Sequence, residues 1–340
     1  GKFRSRRAQR CAEASERSAG RVRMGTRHTP ATRPMLRRAS DGGVEIPPSG
    51  PHTHTVILLH GCYCNGADFA MLPQLMAELA GRDAAAGVKF IFPSAPLRTL
   101  HWPEGTEDAV SAWYDYFTSR ANTMFHDEID LEHLASASEQ MTAIVNDEIS
   151  RLGGDTSRVV IGGNSQGGTL AGHVALSFGK RLGALIFMRS CLLDVTPVEI
   201  ANTRSFTPTF VFAAEYDSEY ALALQRQSFG RLRDVHWHIE PKCDHYMFSK
   251  AELYHCAAWI LQVCTGSLPA VKYRDVDHLE ANALANLPKM ELAAKLALRP
   301  LSAETDGDRF IAASTQAERT PMERVLDQIS KWNLCFRCAC

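Results

Sequence analysis

The segment VVIGGNSQGG, residues 159–168, decides the fold of this chain. A β-branched run leads into a Gly-x-Ser-x-Gly motif, and small residues at helical spacing follow it. This order is typical of a nucleophile elbow, in which a sharp strand-to-helix turn projects a serine hydroxyl from the end of a sheet. We therefore predict that Ser165 is a nucleophile, and the alternative is a serine in an ordinary turn.

Short apolar or β-branched runs on both sides of this segment predict buried strands, because each is bounded by Gly, Pro or Asp. They are residues 55–59, 88–92, 158–162, 184–188, 209–213 and 235–239. Apolar residues at helical spacing lie between them, around residues 69–79, 129–149 and 253–261, and Leu152-Gly153-Gly154 is a helix stop signal. Strands alternating with helices predict an α/β fold with a mainly parallel central sheet and helices on both faces.

Composition and length limit the class of protein. The 340 residues are 45% hydrophobic with a formal net charge of −1, which excludes a wholly disordered chain and gives no nucleic-acid signature. The apolar runs are shorter than the about 18 residues of a transmembrane helix. We predict a basic arm at residues 1–50, one catalytic domain at 51–265, and an appended, partly helical extension at 266–340.

The basic arm bears on where the protein resides. Its Arg-rich, Ser-containing and acid-poor composition resembles an organelle transit peptide, and the alternatives are a disordered arm or sequence upstream of a start at Met24 or Met35. The ten cysteines in a chain of this length favour reduced thiols in an intracellular protein, so we expect a cytoplasmic location, with organelle targeting as the alternative. A separate hypothesis is lipidation, with peripheral membrane contact, at Cys335, Cys338 and Cys340.

A serine nucleophile needs a base, and the base needs an acid to orient it. Behind such an elbow the acid precedes the histidine in the chain. We assign Asp217, after the predicted strand 209–213, as the orienting acid, and His245, after the strand 235–239, as the base. The neighbouring residues that compete for these roles are Glu215, Asp244, His236 and His238, of which the two histidines alternate within a strand and are predicted to be structural.

Two backbone N–H groups must also bind the oxyanion of the tetrahedral intermediate. One comes from the residue after the nucleophile, Gln166, at the positive end of the following helix. The other should come from the loop after the first long strand, where Cys62 is our candidate.

These motifs together resemble the acyl-protein thioesterase and lysophospholipase-like carboxylesterases, a branch of the α/β-hydrolase fold. The resemblance covers about residues 54–264 and rests on motifs in the family's order: Leu58–Gly61 followed by Gly66, Phe92–Pro96, Ala112–Asp115, Gly162–Gly168, Ser190–Leu192, Asp217 and His245. It implies a Ser165–Asp217–His245 triad, an oxyanion hole from Cys62 and Gln166, and no metal or organic cofactor.

The resemblance also implies a substrate class, namely acyl thioesters or carboxylic esters on lipidated proteins, small esters or lysophospholipids. The residues predicted to bind the substrate are Tyr63, Trp102, Trp113 and Leu192. Tyr63 stands where the family usually has glycine, and core packing is the alternative role for Trp113. The alternative function is a non-catalytic binding or scaffolding protein built on a hydrolase core.

Overall fold

One eight-stranded sheet organises the fold of this chain. A computed structural model describes residues 37–38, 43–198, 207–246 and 250–266. Within these residues the strand order is β1-β2-β4-β3-β7-β8-β9-β10, and β5 and β6 form a separate antiparallel pair. The strands are β1 (Arg37–Arg38), β2 (Val44–Ile46), β3 (His54–Leu59), β4 (Val88–Phe92), β5 (Leu97–Trp102), β6 (Gly105–Ser111), β7 (Val159–Asn164), β8 (Ala184–Met188), β9 (Thr209–Ala214) and β10 (Val235–Glu240).

The six strands from β4 through β10 in this sheet run parallel, and β1 and β2 pair antiparallel at one edge. This confirms the predicted mainly parallel sheet. The described α-helices are α1 (Leu72–Ala80), α2 (Leu131–Arg151), α3 (Gln166–Ser177), α4 (Leu222–Phe229) and α5 (Lys250–Thr265). Helix α2 begins after Asp130, whose carboxylate accepts from the N–H groups of Glu132 and His133, and the predicted stop lies directly behind it.

Both faces of the sheet are covered, because its strands are apolar on both sides. In β3, Val56 and Leu58 belong to one buried cluster with side chains of α1 and α5. Their neighbours Ile57 and Leu59 belong to a second buried cluster with side chains of α2 and α3. The sheet thus separates two cores, as the continuous apolar runs predict.

Several elements differ from the sequence prediction. The sheet begins at β1 and β2, which precede the domain boundary predicted at residue 51. They could not be predicted from sequence, because a three-residue edge strand is too short to produce a periodic signal. The segment after β4, where the sequence predicts no strand, contains the β5–β6 hairpin, because the polar second strand has no hydrophobic pattern. Helix α4 was not predicted. The rest of the basic arm and the extension beyond Gly266, with its terminal cysteines, lie outside the described residues.

None of the described helices combines the length and the apolar character required to cross a bilayer. Of the cysteines within the described ranges, Cys191, Cys243 and Cys256 are buried, and the other three are half-buried. Burial raises the pKa of the Cys243 thiol to about 12.

The layer between α5 and the end of the sheet contains a histidine stack. The rings of His255 on α5 and His238 on β10 lie 3.8 Å apart, centroid to centroid. Burial, and then the neighbouring His238, lowers the pKa of His255 to about 4. The folded protein therefore keeps His255 uncharged at pH values where a solvated histidine binds a proton.

We expect this histidine to make the fold sensitive to acid. Its folded pKa lies below the unfolded value, so its effect is absent above about pH 6.5, and stability falls as the pH drops towards about 4. His255→Phe should reduce the fall in the free energy of unfolding between about pH 7 and about pH 5, measured by urea denaturation. The exposed His236→Gln is the control, and an equal fall in wild type and His255→Phe would contradict the prediction.

Candidate active site

The predicted site residues follow strands that end at one edge of the sheet. Strands β3, β7, β8, β9 and β10 run parallel, so their carboxyl ends meet at this edge. Cys62 lies in the loop after β3, Ser165 follows β7, Asp217 follows β9 and His245 follows β10. Residues far apart in sequence are therefore neighbours here.

Ser165 occupies a strained turn between β7 and α3. Its φ of 51° and ψ of −123° lie in a region that residues with a side chain rarely adopt. The turn needs glycine on both sides, since a Cβ at Gly163 would lie 2.4 Å from the Leu59 carbonyl oxygen and one at Gly167 would lie 2.2 Å from it. The Ser165 N–H donates to the Met188 carbonyl at 2.9 Å, which joins the turn to β8.

The structure brings the three residues assigned to the triad together. Ser165 Oγ lies 2.9 Å from His245 Nε2, and His245 Nδ1 lies 2.9 Å from Asp217 Oδ1. His245 and Asp217 are buried, with 7% and 3% of their surface exposed. A carboxylate at Nδ1 favours the tautomer that carries its proton there, which leaves Nε2 to accept from the serine hydroxyl.

Further donors fix the carboxylate of Asp217. Its Oδ1 accepts from the backbone N–H groups of Glu219 and Tyr220 at 3.0 and 2.8 Å, and its Oδ2 accepts from Gln225 Nε2 at 3.2 Å. Gln225 is fully buried on α4. Sequence reasoning did not identify it, because a glutamine in an unpredicted helix gives no signal of its own.

The two acids that are alternatives to Asp217, Glu215 and Asp244, each accept hydrogen bonds from backbone N–H groups in loops. Glu215 Oε2 accepts from the Lys242 N–H at 2.8 Å. Asp244 Oδ1 accepts from the N–H of His245 at 2.5 Å and from the N–H of Ser218 at 3.1 Å. Asp244 therefore connects the segment carrying Asp217 to the backbone of His245, while its side chain contacts neither ring nitrogen of that histidine.

His236 and His238 also lie away from Ser165. Each pairs with a carboxylate two residues away, His236 with Asp234 at 3.2 Å and His238 with Glu240 at 2.8 Å. This agrees with the structural role predicted for them.

The loop after β3 packs directly against Ser165. A Cβ at Gly61 would lie 3.1 Å from Ser165 Cβ, so the loop that continues into Cys62 passes close to Ser165. The buried His60 shapes this loop, because its Nε2 accepts from the Ala95 N–H at 2.9 Å and its Nδ1 bonds to the Gly61 carbonyl at 2.7 Å. Burial lowers the pKa of His60 to about 4, so the ring is neutral with its proton on Nδ1.

Gln166 is the first residue of α3, so its backbone N–H is among those that lack an acceptor within the helix. Its fully buried side chain has a second function that the sequence did not reveal. Oε1 accepts from the Trp113 N–H and Nε2 donates to the Tyr114 carbonyl, each at 2.8 Å. Gln166 thus also holds the segment that follows the β5–β6 hairpin.

The residues predicted to bind substrate have different surroundings. Tyr63 is half-buried in the loop after β3, with a φ of 67°, and its hydroxyl donates to Glu107 at 2.9 Å. Trp102 stacks on Tyr116, with ring centroids 4.9 Å apart. Trp113 is 1% exposed and its indole donates to the His60 carbonyl, so the structure favours core packing for this residue.

Leu192 is fully buried in the cluster between the sheet, α2 and α3. It lies near α3, since a Cβ at Gly172 would be 3.0 Å from its Cδ2. Packing explains its position without a ligand. As for metals, the described residues contain no group of three or more His, Cys, Asp or Glu side chains placed to hold an ion.

Comparison with known proteins finds a matching family and similar relatives. A family model described as Phospholipase/Carboxylesterase matches residues 43–228, more than half of the chain. An acyl-protein thioesterase 1 of Eremothecium gossypii is 31% identical over 137 residues, 40% of this chain and 54% of that relative. An acyl-protein thioesterase 1 of Yarrowia lipolytica is 30% identical over 208 residues, 57% of this chain and 86% of the relative. The chain therefore spans about half the length of the first relative and most of the second.

The crystal structure of Arabidopsis thaliana SOBER1 is similar with a TM-score of 0.52 at 21% identity, covering 62% of this chain and 99% of that one. At this identity the likeness concerns the fold alone. With the family match, it confirms the predicted α/β-hydrolase fold.

The Gln166 side chain gives a prediction about stability. Gln166→Ala would leave a buried N–H and a buried carbonyl without their present partner, each at a cost of about 1–3 kcal/mol, so the free energy of unfolding should fall by about 2–6 kcal/mol. Urea denaturation measures this change. The matched control is Gln74→Ala, which removes an exposed bond to Glu78 within α1 and should cost at most about 0.5 kcal/mol. Equal losses of free energy in the two variants would show that the bonds of Gln166 to Trp113 and Tyr114 do not stabilise the fold.

Proposed function

The chain belongs to the phospholipase/carboxylesterase family, and on this premise we propose that it is a serine hydrolase that cleaves acyl thioesters or carboxylic esters through an acyl-enzyme on Ser165. The observation that carries the proposal is the hydrogen-bonded series Ser165–His245–Asp217, with both distances 2.9 Å. Acyl transfer needs a nucleophile, a base and an acid that orients the base, and we assign these three roles to Ser165, His245 and Asp217.

In the first half of the reaction, His245 Nε2 takes the proton from Ser165 as Oγ attacks the acyl carbonyl. Asp217 stabilises the resulting imidazolium and remains ionised. The N–H groups of Cys62 and Gln166 are proposed to donate to the oxyanion, and losing one such donor typically lowers the rate by about 10²–10³. The tetrahedral intermediate then expels the alcohol or thiol, to which His245 Nε2 returns the proton, and an acyl group remains on Ser165.

In the second half, water replaces the leaving group. His245 accepts a proton from the water as its oxygen attacks the acyl-enzyme, and it returns the proton to Ser165 Oγ as the carboxylic acid departs. A thiolate leaves more readily than an alkoxide, so a thioester depends less on protonation by His245 in the first half. This chemistry makes thioesters the easier substrates.

The names of the relatives support the proposed substrate class, since both relatives reported above are acyl-protein thioesterases. We propose an acyl ester or thioester substrate, on a lipidated protein or a lysophospholipid, in the cytoplasm. Hydrolysis rates for esters and thioesters of increasing acyl length, measured with the full chain, would define the acyl group and the leaving group. A reporter fused behind residues 1–50 would test the location, and an organelle signal would replace the cytoplasmic proposal.

The catalytic residues are tested with an alkyl fluorophosphonate probe, which reacts with an activated serine. We expect the probe to label the wild type and to leave Ser165→Ala unlabelled. Asp217→Asn should lower kcat strongly, by about 10⁴ as in a well-studied triad, because it removes the carboxylate that orients His245.

The matched control is Glu215→Gln, a neighbouring acid whose described contact is with the Lys242 N–H, and it should retain the wild-type kcat within about threefold. Labelling of Ser165→Ala would place the nucleophile elsewhere. A wild type that neither reacts with the probe nor hydrolyses any acyl ester would favour the scaffolding alternative.

A further inference from the structure

A buried ion pair joins the end of β8 to α5. Arg189 Nε lies 2.9 Å from Glu252 Oε1, and Arg189 Nη2 lies 2.7 Å from Glu252 Oε2. This is a bidentate arrangement, which fixes the relative position of the two groups as well as their charges. Arg189 is 4% exposed and Glu252 is fully buried, so solvent does not screen the pair.

This pair also contacts both sides of the proposed catalytic machinery. The remaining Arg189 nitrogen, Nη1, donates to the backbone carbonyl of His245. On the other side, Asn164 Nδ2 donates to Glu252 Oε1 at 3.3 Å, and Asn164 is the residue before Ser165. A continuous set of hydrogen bonds thus runs from the strand end that carries the nucleophile to the loop that carries the base.

Stability alone is a poor explanation for this pair. Removing two charges from water costs free energy that their attraction often only balances, and apolar residues of similar volume serve as well or better. Arg189 also has a φ of 46°, in the left-handed region that is unfavourable for a residue with a Cβ. Both features are what a positioning role would require and a packing role would not.

Within the described residues, His245 is held through both its ring and its backbone. Asp217 orients its ring through Nδ1, and Asp244 accepts from its N–H. Arg189 holds the carbonyl on the other side of the same Cα. The Arg189 guanidinium and the Asp244 carboxylate therefore fix the peptide groups on both sides of His245. This sets the position of its Cα, from which the imidazole side chain extends.

We propose that Arg189 and Glu252 are positioning residues that hold the backbone of His245 at the distance from Ser165 required for proton transfer. The inference rests on the proposed function, because it assigns the pair to that reaction. A displacement of about 1 Å in a catalytic group can cost about 10² in rate, so loss of this anchor should lower kcat. Because the pair is buried behind His245, KM should change little.

A second buried ion pair provides a matched control. Lys89 Nζ lies 2.6 Å from Glu148 Oε1, and their side chains are 12% and 2% exposed. Glu148 also accepts from Thr55 Oγ1 at 2.8 Å, near the amino ends of β3 and β4 and away from the edge that carries Ser165. Removing this pair shows how the loss of a buried ion pair away from Ser165 changes kcat, KM and thermal stability.

The experiment compares Arg189→Met/Glu252→Met with Lys89→Met/Glu148→Met in the full chain. Each double variant replaces both members of a buried pair with apolar side chains, so neither leaves the other member buried and unpaired. Glu45, which also pairs with Lys89 at 3.3 Å, is 35% exposed and is solvated in the control variant. The measurements are kcat and KM for a chromogenic short-chain ester, the rate of fluorophosphonate labelling, and the thermal unfolding midpoint. We expect kcat and the labelling rate to fall about 100-fold in the first variant, with KM within about threefold, and to stay within about threefold in the second.

Arg189→Lys decides the question if the first double variant does not fold. Lysine keeps the positive charge next to Glu252, but its single nitrogen cannot reproduce a bidentate pair and also reach the His245 carbonyl. A folded Arg189→Lys with a reduced kcat and an unchanged KM would support the proposal. A folded variant of either kind with kcat within about threefold of wild type would overturn it, and an equal loss in the Lys89 variant would do the same. A wild type without activity or labelling would instead refute the proposed function.

Discussion

The close approach of β3, β7 and α3 at the Ser165 turn is the constraint on which the site depends. Added Cβ atoms at Gly163 and Gly167 would lie within 2.4 Å of the Leu59 carbonyl oxygen, so the strand and the helix meet with only backbone between them. The contact forces Ser165 into its unfavourable φ and directs the serine out of the sheet. It also places the loop after β3 next to Ser165, where the proposed mechanism requires an oxyanion hole.

The strands of the parallel sheet could be predicted from sequence because they are apolar on both faces and bounded by turn residues. The order Ser, acid, His narrowed the candidates at the edge to a few residues, and the structure places the assigned ones within hydrogen-bonding distance. The β5–β6 hairpin could not be predicted, since a polar, exposed strand has no hydrophobic period. The segment that follows the hairpin is held by contacts such as that between Gln166 and Trp113, which are 53 positions apart.

The side chains that contact the candidate site from other elements could not be identified from the sequence either. Gln225 reaches Asp217 from α4, and Glu252 meets Arg189 across 63 positions. A glutamine, an arginine or a glutamate in these segments is indistinguishable from a surface residue until the fold brings its partner to it. The motif around Ser165 is local and can be found in the sequence, whereas the contacts of Gln225, Arg189 and Glu252 are long-range and need the structure.

The neutral His60 has a consequence for how the loop after β3 responds to its surroundings. Its ring nitrogens bond to the Ala95 N–H and the Gly61 carbonyl, and burial keeps its pKa near 4. His60 therefore keeps these two hydrogen bonds at neutral pH and gains a proton only as the pH approaches about 4. In a mildly acidic compartment most His60 rings would stay neutral and would still join the Gly61 carbonyl to the Ala95 N–H.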